Sequence, residues 1–175
     1  MAGVMADVMA DAMLTGHDPI LETRTLHWPN EAGCAAFAQS LARSLKLQPA
    51  LHQALIELHG PLGAGKTTFV RHLLRALGVT GRIKSPTYAV LESYELPGLD
   101  VSHLDLYRFN DPREWLDAGL RDVFAAPGLK LVEWPERAAG LLPTPDLQLF
   151  IEPTADEQRS VVVTALTPRG LALLS

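Results

Sequence analysis

A single cysteine, Cys34, in 175 residues excludes an internal disulfide. The cysteine and the six histidines do not fall at zinc-finger spacing, which excludes a zinc-finger module. No apolar run approaches the roughly 18 residues that would span a bilayer. Basic residues are also in short supply, with 15 Lys and Arg against 20 Asp and Glu, and a net charge of −5 gives the surface as a whole no attraction for nucleic acid. A local basic patch stays open, and the expected route to RNA is through a partner. No internal repeat or low-complexity tract interrupts the chain. What remains is a globular chain of the reducing cytoplasm, 47% hydrophobic and of a length that suits one domain.

The first twenty residues, MAGVMADVMADAMLTGHDPI, lack Lys and Arg altogether and so lack the basic start of a signal peptide. Met1, Met5, Met9 and Met13 recur at every fourth residue, but Asp7, Asp11 and Asp18 interrupt the segment. Residues 1–22 read as an extension without stable structure, and residues 23–175 as a single domain. From Arg24 the pattern sharpens. RTLHW reads as a short strand, and Asn30 with Glu31 opens an amphipathic helix through Phe37, Ala38, Leu41 and Leu45, which Gln48 and Pro49 end. The apolar run from Ala54 to Leu58 is a candidate buried strand. Phe69, Val70, Leu73, Leu74 and Leu77 then share one helical face until Gly78 stops the pattern.

Between that strand and that helix lies HGPLGAGKTTF. Gly60, Gly65, Lys66 and Thr67 satisfy G-x-x-x-x-G-K-[ST], in the strand–loop–helix order the motif requires. With average residue usage, a chain of this length carries the pattern by accident on the order of one time in a hundred. Glycines let the backbone turn and approach a ligand closely, so that amides point at phosphate oxygens. The helix that begins near Lys66 adds unpaired N–H groups and the positive end of its dipole. Lys66 then belongs against β- and γ-phosphates, and Thr67 offers a hydroxyl to the magnesium that bridges them.

Such a loop needs carboxylates. LKLVEWPE has a strand pattern ending in Glu133, beyond which ligands of open parallel sheets sit. VSHLDLYRF puts His103, Asp105 and Tyr107 on one face of another alternation. In RIKSPTYAV, Pro86 biases Ser85 toward an extended backbone, while Ser85, Thr87 and Tyr88 supply hydroxyls for a loop that senses the γ-phosphate. The plainer readings are an Asp105–Arg108 surface pair, a solvated Glu133 and an ordinary turn.

GPLGAGKTTF, KSPTY, HLDLYR and VEWPE together, in this order and approximate spacing, resemble the TsaE (YjeE) family, the small bacterial ATPase of tRNA threonylcarbamoyladenosine synthesis. The likeness runs from about residue 25 to the C-terminus. It implies a P-loop α/β fold that binds ATP and magnesium, hydrolyses ATP slowly and works with the partner proteins TsaB and TsaD, reaching tRNA only through them. Carried over by position, Gly63, Ala64, Gly65, Lys66, Thr67 and Thr68 become the phosphate loop. Thr67 and Glu133 become magnesium ligands, Asp105 a catalytic or metal-organising acid and Trp134 a switch residue, with Lys66, Asp105, Glu133 and Trp134 as the catalytic set. Ser85, Pro86, Thr87 and Tyr88 match the first switch, and Glu31 a nucleotide-contacting position. Pro61, Cys34 and His72 depart from the family's common Asp, Thr and Gly.

Asp111, Pro112 and Glu114 resemble a helix start leading to Trp115, Leu116, Leu120, Val123 and Phe124. DLQLFIEP and SVVVTAL read as a terminal antiparallel pair. The expected fold is α/β, P-loop NTPase-like, with a mostly parallel central sheet, that antiparallel pair, and helices on both faces. Two other functions compete with the ATPase. A small-molecule kinase would need a lid of clustered arginines, whereas Arg108, Arg113, Arg121, Arg137, Arg159 and Arg169 are scattered. A nucleotide-gated binding module would treat hydrolysis as incidental.

Overall fold

In the computed structural model residues 19–175 are described; the extension expected over residues 1–22 lies, as far as residue 18, outside them. Seven strands form one sheet among the described residues: β1 (Glu22–Trp28), β2 (Leu55–His59), β3 (Leu91–Leu96), β4 (Leu99–Asp105), β5 (Leu129–Glu133), β6 (Leu147–Pro153) and β7 (Arg159–Ala165). Their order is β1-β7-β6-β2-β5-β4-β3. The inner four, β6-β2-β5-β4, are parallel, and the pairs β1/β7, β7/β6 and β4/β3 are antiparallel. Central β5 is buried along its whole length, as a strand covered on both faces must be. The terminal pair is antiparallel as expected, but β6 itself joins the parallel set, and β1 lies beyond β7 at the edge.

Alternation divides the sheet's side chains between two cores. On one face Ile56, Leu58, Leu129, Leu131, Leu149 and Val163 pack under α1 (Glu31–Leu47), α2 (Lys66–Leu77) and the short C-terminal α5 (Pro168–Leu173). On the other, Leu55, Leu104 and Val132 meet Trp115 of α3 (Pro112–Asp117) and Leu120 of α4 (Leu120–Ala125). The helices start where their chemistry directs. Asn30 Oδ1 accepts from the amides of Ala32 and Gly33, and Asp111 with Glu114 forms a reciprocal capping box at α3. The single helical run expected from Trp115 to Phe124 breaks at Gly119, whose φ of 67° is left-handed, so Leu116 is left 58% exposed.

Parallel pairing has one consequence for function: the carboxyl ends of β2, β5 and β4 lie side by side. The register sets Leu58 beside Glu133 and Glu133 beside Asp105. Whatever β2 leads into therefore meets two neighbouring carboxylates. Among the described residues no helix is long and apolar enough to cross a membrane.

Candidate functional site

β2 leads into the glycine loop. At Gly60 φ is 143°, and a Cβ there would lie 2.4 Å from the Ile151 carbonyl, so the chain can pass β6 only without a side chain. At Gly65, the N-cap of α2, φ is 108°, again in the left-handed region. Having no side chain, Gly65 leaves the first-turn amides of α2 without a side-chain cap.

Lys66 is 5% exposed and folds back onto its own loop. Its Nζ donates to the Gly60 carbonyl at 2.6 Å and the Pro61 carbonyl at 2.9 Å, and lies 4.1 Å from the centroid of the Trp134 ring. Burial pushes its pKa down, against the charges of Glu133, Glu136 and Asp105. Trp134 holds this posture through a left-handed backbone, φ 57°, unusual for a bulky residue and of the kind that collects at functional sites. Its ring also meets Tyr107 at 5.0 Å.

The two strand-end acids are buried beside this lysine. Thr67 Oγ1 donates to Glu133 Oε1 at 2.8 Å and Oε2 at 3.0 Å, and His103 Nε2 lies 2.8 Å from the same Oε1. Asp105 accepts from the Tyr107 amide at 3.0 Å and the Thr87 hydroxyl at 3.2 Å. Burial raises the Asp105 pKa, the charge of Glu133 adds to the shift, and the two hydrogen bonds oppose it. A cavity of ≈ 270 Å³ joins these groups, lined by Gly63, Lys66, Thr67, Thr87, Asp105 and Glu133 among others. Asp105 is thus no partner of a surface arginine, and Glu133 at 2% exposure is no solvated strand end.

The remaining expected residues divide. Of the stretch 85–88, Thr87 reaches Asp105, and Ser85 Oγ lies 2.8 Å from Thr87 Oγ1, one step back. Pro86 is buried and its carbonyl accepts from Val90. Tyr88 is 83% exposed, under the Arg108 guanidinium at 4.0 Å, and does not enter the cavity. Glu31 also stands apart from the acids. Its carboxylate is 2.8 Å from His72 Nε2, so His72 has a partner in place.

Glu31 instead lines a second cavity of ≈ 370 Å³ on the other side of the loop, with Asn30, Cys34, Gly65, Thr68 and Arg159. Burial and then the nearby Glu31 push the Cys34 thiol up to about 12, so it stays protonated. Arg159 is the residue that sequence reasoning missed. It comes from β7, almost a hundred residues away, and its Nε donates to the Ala64 carbonyl at 2.7 Å. No local motif marks it; only the strand order brings it to the loop.

A glycine loop between a central parallel strand and a helix, with two acids at neighbouring strand ends, defines the class: a P-loop nucleotide-binding fold. Comparison with known proteins then narrows it. Residues 28–161 match the family model described as threonylcarbamoyl adenosine biosynthesis protein TsaE, and the chain belongs to that family. It is 36% identical over 155 residues to the tRNA threonylcarbamoyladenosine biosynthesis protein TsaE of Haemophilus influenzae, covering 89% of this chain and 98% of the relative. It is 37% identical over 115 residues to the protein of the same name from Bacillus subtilis, covering 66% and 72%. Among solved structures it resembles Bacillus subtilis YdiB, with a TM-score of 0.69 and 28% identity over 87% of this chain and 92% of that one.

Proposed function

We propose that the chain binds magnesium ATP at the 63–68 loop and hydrolyses it slowly, for tRNA threonylcarbamoyladenosine synthesis, acting on a complex of TsaB and TsaD. One observation carries the reading: Thr67 meets Glu133 at the mouth of a lysine-bearing phosphate loop, with Asp105 in register beside them. Membership of the TsaE family supplies the biological setting.

Magnesium suits the donor set. Thr67, Glu133 and Asp105 offer hard oxygens, and among the described residues no three His, Cys, Asp or Glu side chains converge to cage an ion alone. That pattern favours an ion held by one or two carboxylates together with substrate phosphates. Bound there, it would neutralise charge on the β- and γ-phosphates.

The chain's own groups do the rest. Lys66 exchanges the carbonyls of Gly60 and Pro61 for phosphate oxygens, leaving the Trp134 ring, and the 63–68 amides complete the anion site. Base and ribose enter the cavity walled by Asn30, Glu31, Cys34 and Arg159. Asp105, held by Thr87 and the Tyr107 amide, orients the attacking water. The water oxygen joins the γ-phosphorus, the bond to the bridging oxygen breaks, ADP leaves with that oxygen, and the water proton ends on phosphate. Arg159, bonded to the loop carbonyls, does not supply the arginine that elsewhere is worth about 10³–10⁵ in rate. Turnover is therefore slow until partners complete the site.

The test is phosphate release by the purified chain at saturating magnesium, alone and with TsaB and TsaD. A slow rate that rises with the partners and vanishes in Lys66→Ala is expected. Phosphate transfer to a small acceptor, with no response to TsaB and TsaD, would make the protein a kinase instead.

A further inference from the structure

His103 sits on β4 two residues before Asp105 and is 0% exposed. Leu131 is its register partner on β5, and Val101 precedes it on the same face; both are buried. A leucine in that position would pack without desolvating any polar atom, so an imidazole there calls for a reason. One ring nitrogen supplies it: Nε2 is 2.8 Å from Glu133 Oε1. The other works against the fold, since Nδ1 is buried with no hydrogen-bond partner among the described residues. A carboxylate oxygen accepts, so Nε2–H is the donor in this contact. The core carries an unsatisfied nitrogen in order to aim one N–H at one carboxylate oxygen.

We infer that His103 is a positioning residue whose Nε2–H locks the Glu133 carboxylate in the orientation that receives Thr67 and faces the cation of a bound nucleotide. The inference rests on the magnesium-nucleotide reading above. Glu133 Oε1 accepts from His103 and Thr67 together, each at 2.8 Å, so the two donors hold one oxygen from two elements, β4 and α2. The lock has something to oppose. Asp105 is the register partner of Glu133, and like charges on adjacent strands favour the carboxylates swinging apart. A donor behind a ligating group that fixes its orientation is the usual means of tuning metal affinity, and removing one typically costs about 10- to 100-fold in that affinity.

The experiment titrates magnesium against binding of N-methylanthraniloyl ADP to the full chain, with a thermal melt of each variant. His103→Leu is expected to bind the nucleotide in EDTA as wild type does and to melt no lower. It should need about tenfold more magnesium for half-maximal tightening. His103→Gln, whose amide N–H reaches the same oxygen, should recover most of that loss; His103→Asn, equally polar but too short, should not. A purely structural histidine would lower the melting point and leave the magnesium midpoint alone, and that result overturns the inference. Equal midpoints for Gln and Asn overturn it as well, and this pair decides the matter if the leucine variant does not fold. Wild-type binding that ignores magnesium would fell the metal reading and this inference with it. A magnesium-dependent wild type with an indifferent His103→Leu fells the inference alone.

Discussion

The two ends of the parallel strands both bury charged side chains, and they use them in opposite ways. At the amino end, Asp146 accepts from the Leu55 amide at 2.8 Å and the Thr167 hydroxyl at 2.6 Å. Beside it Lys130 donates to the carbonyls of Ala126 and Gly128. Each charge there closes a backbone group that the sheet leaves open. At the carboxyl end, Glu133 and Asp105 lie together, Lys66 rests on the two loop carbonyls, and His103 keeps a nitrogen without a partner. Burial alone does not separate the two ends, since Asp146 is 5% exposed and Asp105 4%. The distinction is in the partners: one end ties its charges to the Leu55 amide, the Ala126 and Gly128 carbonyls, Thr167 and Arg169, away from the glycine loop, and the other gathers around that loop groups that a ligand can take over.

The largest effect expected from this contrast is at Lys66. Lys66→Ala should weaken ATP binding on the order of 100-fold, as loss of charge-assisted bonds worth about 3 kcal/mol implies. Its melting temperature should hold or rise, because a desolvated ammonium disappears; calorimetric titration and a thermal scan read both. Next, Asp146→Ala should cost about 2–4 kcal/mol in urea unfolding by stranding the Leu55 amide and the Thr167 hydroxyl. Its ATP affinity per folded molecule should match wild type; a parallel fall in affinity would erase the distinction between the ends. Arg159→Ala should weaken ATP binding by roughly tenfold through a loosened loop and cavity wall, with stability little changed.

The smallest effect is a slope. Burial holds the Lys130 pKa below its ordinary value of 10.5, so the unfolded chain binds the proton more tightly than the folded one. Wild-type stability relative to Lys130→Met should therefore rise with pH from the lowered folded value up to 10.5. Chemical denaturation at a series of pH values measures the difference directly. A difference that falls over this interval would mean that the ammonium stabilises the fold.

Much of the carboxyl end was legible because its chemistry is local. Gly60 through Thr68 stand in one motif, and Asp105 and Glu133 end strands whose apolar patterns are plain. The caps at Asn30 and Asp111 were readable for the same reason. What escaped depends on strand order. Arg159 reaches the loop only because β7 pairs with β6 and β6 with β2. His103 was visible on the right face, but its bond to Glu133 follows from the β4/β5 register. The amino-end cluster left no sign, since the Leu55 amide that Asp146 takes is distant in sequence and the nearby carbonyls that take Lys130 belong to no recognisable motif. Gly119 divides a helix whose apolar spacing runs straight through it. Tyr88, grouped with Thr87 by adjacency, points elsewhere because neighbouring residues of a turn need not share a direction.

The most direct measurement is magnesium-dependent ATP turnover per folded molecule in Glu133→Gln beside Asp146→Asn, each with its melting temperature. The account predicts that Glu133→Gln loses turnover by 10-fold or more while melting at or above wild type, since Gln still accepts from Thr67 and relieves the charge facing Asp105. Asp146→Asn should melt lower and turn over normally. Undiminished turnover in Glu133→Gln, or turnover lost in Asp146→Asn while it remains folded, would contradict the assignment of chemistry to the carboxyl end of the sheet.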